Sequence, residues 1–536
     1  MTARISTAPF PSGVSRRMFI AQALALATLL PQRGIAQEAS AEAAPDTTTD
    51  VGTPFSFDWL VERMRASAQS AYVPPAVIDG PAASLTYDDY RKVQFKRDHA
   101  RWADDKARVV LHAYHPGWLF KTPVKLNEVR DGQSRLMTFT REDFEYHDGL
   151  EDRFAPGADL AGVAGFRINA PINNPQRFDE VVSFLGASYF RALGRGNVYG
   201  LSARGLALNT AIGGEEEFPS FTEFWLERPA PGADSVTFHA ALESPSVAGA
   251  FRFTLTPGET TIVDVDQQLF FRDAVDQVGI APLTSMFLFA PNERGDFHDY
   301  REAVHDSEGL VVTTGDRSYF RPLRNPKRLG NSYIGAASPT TFGLVQRSRG
   351  FEDYLDSHAR YDLRPSLIVE PKGDWGRGAI RLIEIPTDLE SNDNIAAFWV
   401  PEGSVAAGDT IALSYRLHWG IDPMPADTEH AQVLRTLAGH GGVAGIDPEV
   451  DKKKFVIDFE GGILPELSGD ENVTVRATAQ NGEIVQSIVE RIEVDGIWRL
   501  VLEIRAEGDA PVELSADLNL DDRRLTETWL YQWTMN

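Results

Sequence analysis

Hydrophobic and polar residues alternate along much of the chain, which is the pattern of strands that pack one face into a core. Residues 236–240 and 251–255 show the pattern, and Pro257-Gly258 then turns the chain towards a third alternating run at 263–265. Alternating runs joined by a short turn predict β-hairpins. With 44 glycines and 32 prolines separating such runs, we expect a mostly β protein with packed sheets.

Two segments near the start of the folded region have helical spacing instead. Phe57, Leu60, Val61 and Met64 recur at intervals of three and four residues, which predicts an amphipathic helix. A second helix is predicted over residues 87–102. No repeat of about 20–50 residues occurs, which argues against a propeller or a solenoid.

The β-strands divide into two predicted domains. A strand at 395–400 is followed by Pro401-Glu402-Gly403, and a new series of short strands begins at 411–417. Their spacing is typical of an immunoglobulin-like sandwich. We therefore place the boundary near residue 401, with a large β-sandwich over 54–400 and a small immunoglobulin-like one over 401–536.

The N-terminus has the pattern of a twin-arginine export signal. Arg16-Arg17 precedes an apolar run at 18–30, which is shorter than the roughly 20 residues that cross a bilayer. Small residues at Gly34-Ile35-Ala36 suit a signal peptidase, so residues 1–36 are predicted to be removed. Residues 37–53 are expected to form a flexible leader, since they are poor in large apolar side chains. We expect a periplasmic protein, exported by the twin-arginine route.

Composition restricts the partners of the mature protein. The formal net charge is −25, and removal of residues 1–36 would make it more negative, because they carry four arginines and no acid. This charge argues against nucleic acid and anionic lipid as partners. The chain has no cysteine, which excludes disulfides and thiolate chemistry. No further segment reaches membrane-spanning length, so no stable membrane span is expected in the mature chain.

Polar and aromatic clusters, rather than a known catalytic motif, are the chemical features of the sequence. There is no Gly-x-Ser-x-Gly, His-Glu-x-x-His, Walker or EF-hand motif, and neither a metal nor a cofactor is expected. Clustered arginines and aromatics suit carbohydrates, because sugars present hydroxyls and apolar ring faces. The alternative is that these residues have only structural roles. An aromatic residue in a β-rich chain often packs in the core, and an arginine near an acidic residue often forms a solvated ion pair. The candidate substrate-binding residues are Tyr189, Arg191, Tyr199, Arg204, Trp225, Trp375 and Arg377.

Long phrases spread over nearly the whole predicted mature chain carry a family resemblance. They are residues 181–191, 199–205 and 279–287, His305-Asp306-Ser307, Arg364-Pro365-Ser366-Leu367 and residues 527–532. In these phrases the sequence resembles the periplasmic glucan biosynthesis proteins G and D (OpgG and OpgD, also written MdoG and MdoD). The resemblance implies a galactose mutarotase-like β-sandwich joined to an immunoglobulin-like domain. It also implies a role in making osmoregulated periplasmic glucans, which have a β-1,2-linked glucose backbone.

Some members of that family are glycoside hydrolases or transglycosylases that invert the anomeric centre of β-1,2-glucan. By resemblance, Asp393 in Asp393-Asn394-Ile395 is the general acid, and Asp306 between His305 and Ser307 is the general base. Tyr361, three residues before Arg364, matches a proton-relay tyrosine. Such chemistry needs one protonated and one ionised carboxyl. Without the resemblance, Asp393 is better explained as a turn residue that caps the loop at residues 389–394.

Two other functions are left open by the sequence. The protein could be a non-catalytic scaffold that binds nascent glucan beside an inner-membrane glucosyltransferase, or a mutarotase or epimerase that acts on a monosaccharide. Residues 348–363 match the hydrolytic members only in part. The sequence therefore leaves hydrolysis, chain transfer and ring closure as alternative outcomes of one reaction.

Overall fold

A computed structural model describes residues 52–535, except 104–105, 158–159, 161, 425–426, 443–444, 446, 448 and 494–495. The predicted signal peptide and nearly all of the predicted leader lie outside the described residues. Within this part of the chain, no helix is both long enough and apolar enough to cross a membrane.

Helices are few and short. The α-helices are α1 (Phe57–Ala68), α2 (Gly80–Ala83) and α3 (Tyr87–Tyr90). Short 3-10 helices lie at Arg97–His99, Arg141–Asp143, Glu151–Arg153, Phe351–Asp353, Tyr361–Leu363 and Leu464–Glu466. The spacing of Leu60, Val61 and Met64 is confirmed as the buried face of α1, which begins after the N-cap Ser56.

Strands make up the body of the protein. The first eighteen are β1 (Thr53–Pro54), β2 (Val93–Phe95), β3 (Val110–Tyr114), β4 (Lys125–Arg130), β5 (Gln133–Leu136), β6 (Phe144–Tyr146), β7 (Gly165–Asn174), β8 (Arg177–Leu185), β9 (Tyr189–Ala192), β10 (Ser202–Arg204), β11 (Ala207–Leu208), β12 (Ser220–Glu227), β13 (Val236–Glu243), β14 (Val247–Thr256), β15 (Thr261–Phe271), β16 (Val278–Ser285), β17 (Phe287–Phe289) and β18 (Val304–His305). The others are β19 (Gly309–Thr314), β20 (Arg317–Pro322), β21 (Gly330–Ala337), β22 (Thr341–Val345), β23 (Ser366–Lys372), β24 (Arg377–Glu384), β25 (Ile395–Pro401), β26 (Thr410–Gly420), β27 (Gln432–Gly441), β28 (Glu449–Glu460), β29 (Val473–Gln480), β30 (Gly482–Ile492), β31 (Ile497–Ala506), β32 (Val512–Leu520), β33 (Arg523–Arg524) and β34 (Thr528–Trp533).

Two large sheets dominate the described chain. One has sixteen strands, in the order β1-β5-β4-β12-β13-β14-β15-β26-β23-β22-β19-β20-β34-β32-β29, with β33 beside β32. The other has ten strands, in the order β21-β24-β25-β16-β10-β9-β8-β7-β3, with β11 beside β16. A four-stranded sheet, β27-β28-β31-β30, and the pairs β17-β18 and β2-β6 complete the fold. The prediction of a mostly β protein is confirmed.

The two large sheets share one hydrophobic core. Phe184 on the ten-stranded sheet stacks on Phe166 at 5.2 Å and contacts Phe238 of the sixteen-stranded sheet edge-on at 5.3 Å. The predicted hairpins over residues 236–265 are confirmed as β13, β14 and β15, which pair in succession within the larger sheet. Alternation predicted these strands correctly because one face of each packs into this core.

The second predicted helix is wrong. Only Tyr87–Tyr90 is α-helical, and the chain then forms β2, in which Val93 and Phe95 pair with Tyr146 and Phe144 of β6, before a 3-10 turn at Arg97–His99. A β-branched and an aromatic residue at alternate positions suit a strand, and burial of Phe95 in the core outweighs the local helical pattern.

The predicted domain boundary near residue 401 also differs from the observed packing. The strand predicted to open the second domain, β26, lies between β15 and β23 in the largest sheet. Its Tyr415, Leu417 and Trp419 are buried in the main core. The second core draws its C-terminal residues from Ala431 onwards, so the division in packing lies after Gly420. A short alternating strand carries no signal of which sheet it will join.

The two parts of the protein are tied together rather than separate. β20 of the first part pairs in parallel with β34, with Phe320 opposite Trp529, so one sheet continues from one part into the other. Beside this junction, the fully buried carboxylate of Glu384 accepts hydrogen bonds from Arg321 at 3.2 Å and Arg324 at 2.9 Å. Arg324 also donates to Gln532 of β34 at 3.0 Å.

Candidate active site

A row of polar side chains crosses the ten-stranded sheet on the face opposite the core. His112, Arg167, Ser183 and Arg191 stand directly opposite one another on β3, β7, β8 and β9. Neighbouring residues in these strands form the phenylalanine stack of the core, because successive side chains point to opposite faces. The row continues to Ser202 of β10, whose hydroxyl accepts a hydrogen bond from Arg191 Nε at 2.7 Å.

Asp393 lies over this row. Its carboxylate is 3.9 Å from Nη2 of Arg191, and its side chain is 19% exposed. The loop that carries Asp393 is fixed by the next residue, Asn394. The amide oxygen of Asn394 accepts from Phe287 N–H at 2.8 Å, and its amide nitrogen donates to the carbonyls of Phe287 and Ile385 at 2.9 and 3.0 Å. The buried amide therefore holds the loop against the sheet.

Asp306 is anchored to the same short stretch of backbone. Its N–H donates to the carbonyl of Met286 at 2.8 Å, one residue before the anchor of the Asp393 loop at Phe287. The Asp306 side chain is only 2% exposed and forms an ion pair with Arg364. The structure thus bonds Asp306 and the neighbour of Asp393, Asn394, to consecutive residues, although 87 positions separate the two aspartates in the sequence.

A glycine leaves room for the Arg364 side chain. A Cβ atom on Gly200 would lie 3.0 Å from Cβ of Arg364, so a larger residue would push the arginine away. The preceding backbone is held in place, since Val198 N–H donates to the carbonyl of Leu363 at 3.1 Å. Gly200, in the phrase at residues 199–205, therefore leaves the space in which Arg364 pairs with Asp306. Arg364 is absent from the predicted site residues, although it stands in one of the phrases that carry the resemblance.

Tyr361 lies beside both aspartate segments. Its ring is fully buried under the guanidinium of Arg364, 4.2 Å away, and its hydroxyl donates to Glu390 in the loop before Asp393. Burial and this hydrogen bond raise the pKa of Tyr361. The hydroxyl is therefore a neutral donor directed to Glu390 rather than to Asp306.

Arg301 binds three acidic groups at this position. It donates to Asp299 at 2.8 Å, to Asp356 at 2.8 Å and to Glu390 at 2.9 Å. Hydrogen bonds to Asp299 and Glu390 raise the pKa of Arg301, so it stays charged. Asp299 is two residues from Arg301, whereas Asp356 and Glu390 are 55 and 89 positions away, so no local pattern predicts the last two contacts. Arg301 joins the segment of Tyr361 to the loop of Asp393.

His305 is a packing residue next to Asp306. Its ring stacks on Phe287 at 5.4 Å, and its Nδ1 lies 2.8 Å from the amide oxygen of Gln346. Burial lowers the pKa of His305 to about 4, so the ring is neutral at pH 7. No group of three His, Asp or Glu side chains suited to a metal ion occurs among the described residues.

Tyr199 belongs to a second polar group on the same face. Glu180 accepts hydrogen bonds from the hydroxyls of Tyr199 and Tyr114, the latter at 2.9 Å, and forms an ion pair with Arg167 at 2.9 Å. Burial and the nearby Glu180 hold the pKa of Tyr199 well above its usual range. These side chains extend the polar surface from Arg191 towards β3.

Arg204 and Tyr189 form a buried stack at the end of β9 and β10. The guanidinium of Arg204 lies 5.1 Å from the ring of Tyr189 and 4.9 Å from that of Phe218, and donates to Glu216 at 2.9 Å. Burial raises the pKa of Tyr189, and Asp393 adds to the shift, so the two side chains lie close enough to interact electrostatically.

Three of the predicted substrate-binding residues lie elsewhere. Trp225 packs under α1, stacked on Phe55 at 5.2 Å. Trp375 is buried in the core, and its indole N–H donates to the carbonyl of Ser414 at 3.2 Å. Arg377 is 79% exposed and pairs with Glu402. Arg377 is at the far end of the β24–β25 ladder from Glu384, roughly 23 Å along the strand.

Comparisons with known proteins agree with this architecture. Residues 55–533 match the family model described as periplasmic glucan biosynthesis protein, MdoG. The glucans biosynthesis protein G of Cereibacter sphaeroides is 51% identical over 97% of this chain and 98% of its own length. Proteins of the same name are 42% identical in Rhodopseudomonas palustris strain BisA53, over 97% of this chain and all of the relative, and 41% identical in Serratia proteamaculans, over 90% and 94%. The chain therefore belongs to the periplasmic glucan biosynthesis protein MdoG family.

Proposed function

We propose that this protein processes the β-1,2-linked backbone of osmoregulated periplasmic glucans, as an anomer-inverting glycoside hydrolase or transglycosylase. The observation that carries the proposal is that Asp306 is bonded to Met286, and Asn394, the residue after Asp393, to the adjacent Phe287. A polar face suited to sugar hydroxyls extends from this point. A role in periplasmic glucan biosynthesis follows from membership of the family, and the chemical reaction is the further step.

Asp393 is the proposed general acid. It stands above the sheet on a pinned loop, and 19% of its side chain reaches solvent, so a bound glycosidic oxygen has access to it. A sugar chain lying on the sheet would cover this carboxyl and exclude water from it. Loss of water favours the neutral form of a carboxyl, which can then donate its proton to the leaving oxygen.

Asp306 is the proposed general base. Its ion pair with Arg364 favours a charged carboxylate able to take up a proton. Because Asp306 is almost fully buried, the proton would reach it through a relay. Tyr361 is the proposed relay group, and it would have to release Glu390 for part of the cycle.

The substrate is proposed to lie along the polar row. Arg191, Arg167, Tyr199 and Glu180 offer donors and acceptors to sugar hydroxyls, and Tyr189 with Arg204 closes one end of the row. A surface that crosses several strands suits a chain of sugars better than a single ring. This favours a glucan over a monosaccharide substrate.

The acceptor decides the product. Residues 348–363 carry Tyr361 and lie beside the site, so their conformation would control whether water or a sugar hydroxyl approaches. Water gives hydrolysis, and a sugar hydroxyl gives chain transfer or ring closure. The proposed place of action is the periplasm, after export by the twin-arginine route, and an inner-membrane glucosyltransferase is a proposed partner that would supply the glucan.

The test is incubation of the purified protein with linear β-1,2-glucan, followed by mass analysis and anomer detection by NMR. We expect the wild type to change the chain with inversion, and Asp393→Asn to bind glucan without changing it. Products one water lighter than the linear chain would identify ring closure. A wild type that binds the glucan and leaves it unchanged would overturn the enzyme proposal in favour of a non-catalytic scaffold.

A further inference from the structure

Four aromatic side chains cluster at the β3 edge of the ten-stranded sheet. The ring of Trp118 lies 5.0 Å from Tyr87, 5.9 Å from Tyr90 and 5.7 Å from Phe120. Tyr90 is fixed below, since its hydroxyl donates to the carbonyl of His115 at 2.9 Å. Tyr87 is 42% exposed and Trp118 is half-buried, so this pair, called here the aromatic platform, presents ring surface to solvent.

The backbone of Trp118 is in an unusual conformation. Trp118 has a φ of 52° in a tight turn between Gly117 and Phe120, which exchange backbone hydrogen bonds of 2.9 and 2.8 Å. A turn position with positive φ normally holds glycine or asparagine, and a bulky residue there is strained. Trp102 also has positive φ, but it is buried and its indole N–H donates to Glu128 at 2.9 Å. Trp118 keeps the strained position while half-exposed, and such strain is concentrated at binding sites.

The aromatic platform is continuous with the polar row. The ring of Phe120 packs on Gly186, where a Cβ atom would come within 3.0 Å of it, and the carbonyl of Gly186 accepts from Tyr189 N–H. The platform lies after the end of β3, which is three strands, or roughly 14 Å, from β9 with its Arg191. We therefore expect a chain of several sugar units to be needed to cover both the platform and Asp393.

We propose that Trp118 and Tyr87 form a distal subsite that stacks on a glucose ring of a long glucan chain. The inference rests on the proposed function and adds a determinant of chain length to it. Aromatic faces pack against the apolar faces of sugar rings. The guanidinium of Arg91, 5.7 Å from the Tyr87 ring, supplies donors for the hydroxyls of the same sugar. Short chains that cover Asp393 do not reach the platform, whereas long chains do.

The test uses β-1,2-gluco-oligosaccharides of increasing length, with dissociation constants from calorimetry on the full protein. Trp118→Gly is the main variant, because glycine suits the positive φ and the fold should be kept. We expect Trp118→Gly to weaken binding of long chains roughly tenfold and to leave short chains unaffected. Tyr87→Ala should do the same, and Trp118→Phe should retain most of the affinity. Trp59→Ala, at a 41% exposed tryptophan on α1, is the matched control and should bind all lengths as the wild type does.

The outcomes separate the subsite from the proposed function. Equal weakening of short and long chains by Trp118→Gly would overturn the subsite, because it would indicate general disruption. If Trp118→Gly and Tyr87→Ala both bind long chains as tightly as the wild type does, the subsite proposal is overturned, while the proposed function stands. A wild type that binds no β-1,2-glucan of any length would overturn both proposals.

Discussion

The two aspartates of the candidate site are held in opposite ways. Asp306 is buried, with its backbone tied to Met286 and its carboxylate paired with Arg364. Asp393 is part-exposed, and its carboxylate forms an ion pair with Arg191 at 3.9 Å. One carboxylate is thus part of the packed interior, whereas the other is presented by a loop.

This difference bears on their chemistry. A buried ion pair keeps a carboxylate in place and charged, but removing one partner leaves an uncompensated charge. A carboxyl on a pinned loop can meet a ligand with little disturbance of the fold. We infer that Asp306 combines a structural with a catalytic role, while Asp393 serves catalysis alone. Variants of the two should therefore differ in stability even if both abolish activity.

The largest expected effect is that of Asp306→Asn. Activity on β-1,2-glucan should fall by about 10²–10⁴-fold, and the free energy of unfolding should fall by roughly 3 kcal/mol, because the part-buried guanidinium of Arg364 loses the carboxylate that balances its charge. Urea unfolding and glucan cleavage measure the two losses. The double variant Asp306→Asn/Arg364→Gln should recover part of the stability but none of the activity. A fully stable single variant would contradict the structural role.

Asp393→Asn should affect activity alone. We expect a fall of about 10²–10⁴-fold in cleavage with less than about 1 kcal/mol change in unfolding free energy, since the carboxylate is part-exposed and part-exposed ion pairs contribute little to stability. Arg377→Ala, at the exposed far end of β24, is the control and should change neither quantity. If Asp393→Asn unfolds as easily as Asp306→Asn, the comparison between the two aspartates fails.

Stability should fall in mild acid. Burial lowers the pKa of His305, His112 and His115 to about 4, whereas an unfolded chain protonates histidine near 6.5. The unfolded state therefore binds more protons between these values. Lowering the pH from about 6.5 to 4 should reduce the unfolding free energy, by at most about 1.4 kcal/mol per pH unit for each ring. Urea unfolding across this range measures the slope.

His305→Gln serves as the control for the pH dependence. It removes the ring beside Asp306. The number of protons that these three histidines take up on unfolding should therefore fall by about one. If the pH dependence of the unfolding free energy is the same in this variant, His305 does not take up a proton on unfolding in this pH range.

Arg301→Lys should have the smallest effect. Lysine cannot bind Asp299, Asp356 and Glu390 with a planar fork, so the loop of Asp393 would be less well placed. We expect kcat to fall about tenfold with KM nearly unchanged, since Arg301 is a positioning residue. Arg294→Lys, in the same segment, should be neutral. An equal change in KM would indicate a role in substrate binding instead.

Much of the fold could be predicted, because alternation and helical spacing report burial directly. α1 and the hairpins over residues 236–265 follow from these patterns. The position of β26 could not be predicted, since a strand with one buried face looks the same in either sheet. The predicted helix over residues 87–102 is wrong for a related reason: the burial of Phe95 depends on β6, which is about 50 positions away.

The candidate site shows the same limit. The resemblance led to Asp306 and Asp393, and their catalytic roles stay predictions. Trp225 and Trp375 lie apart from the polar row, because the identity of an aromatic residue does not indicate whether it packs in the core or faces solvent. Arg301 could not be predicted, since only the fold brings it to Asp356 and Glu390. Tertiary contacts of this kind leave no local pattern.

The parallel pairing of β20 with β34 has a consequence for the order of assembly. Phe320 acquires its neighbour Trp529, and Arg324 its partner Gln532, only after some two hundred further residues have been synthesised. Arg324 also binds Glu384, which lies at the base of the loop that leads to Asp393. A nascent chain therefore completes its interior only when its last strand has left the ribosome. A chain without β34 would therefore leave Phe320 without Trp529 and Arg324 without Gln532, at the junction of the two parts.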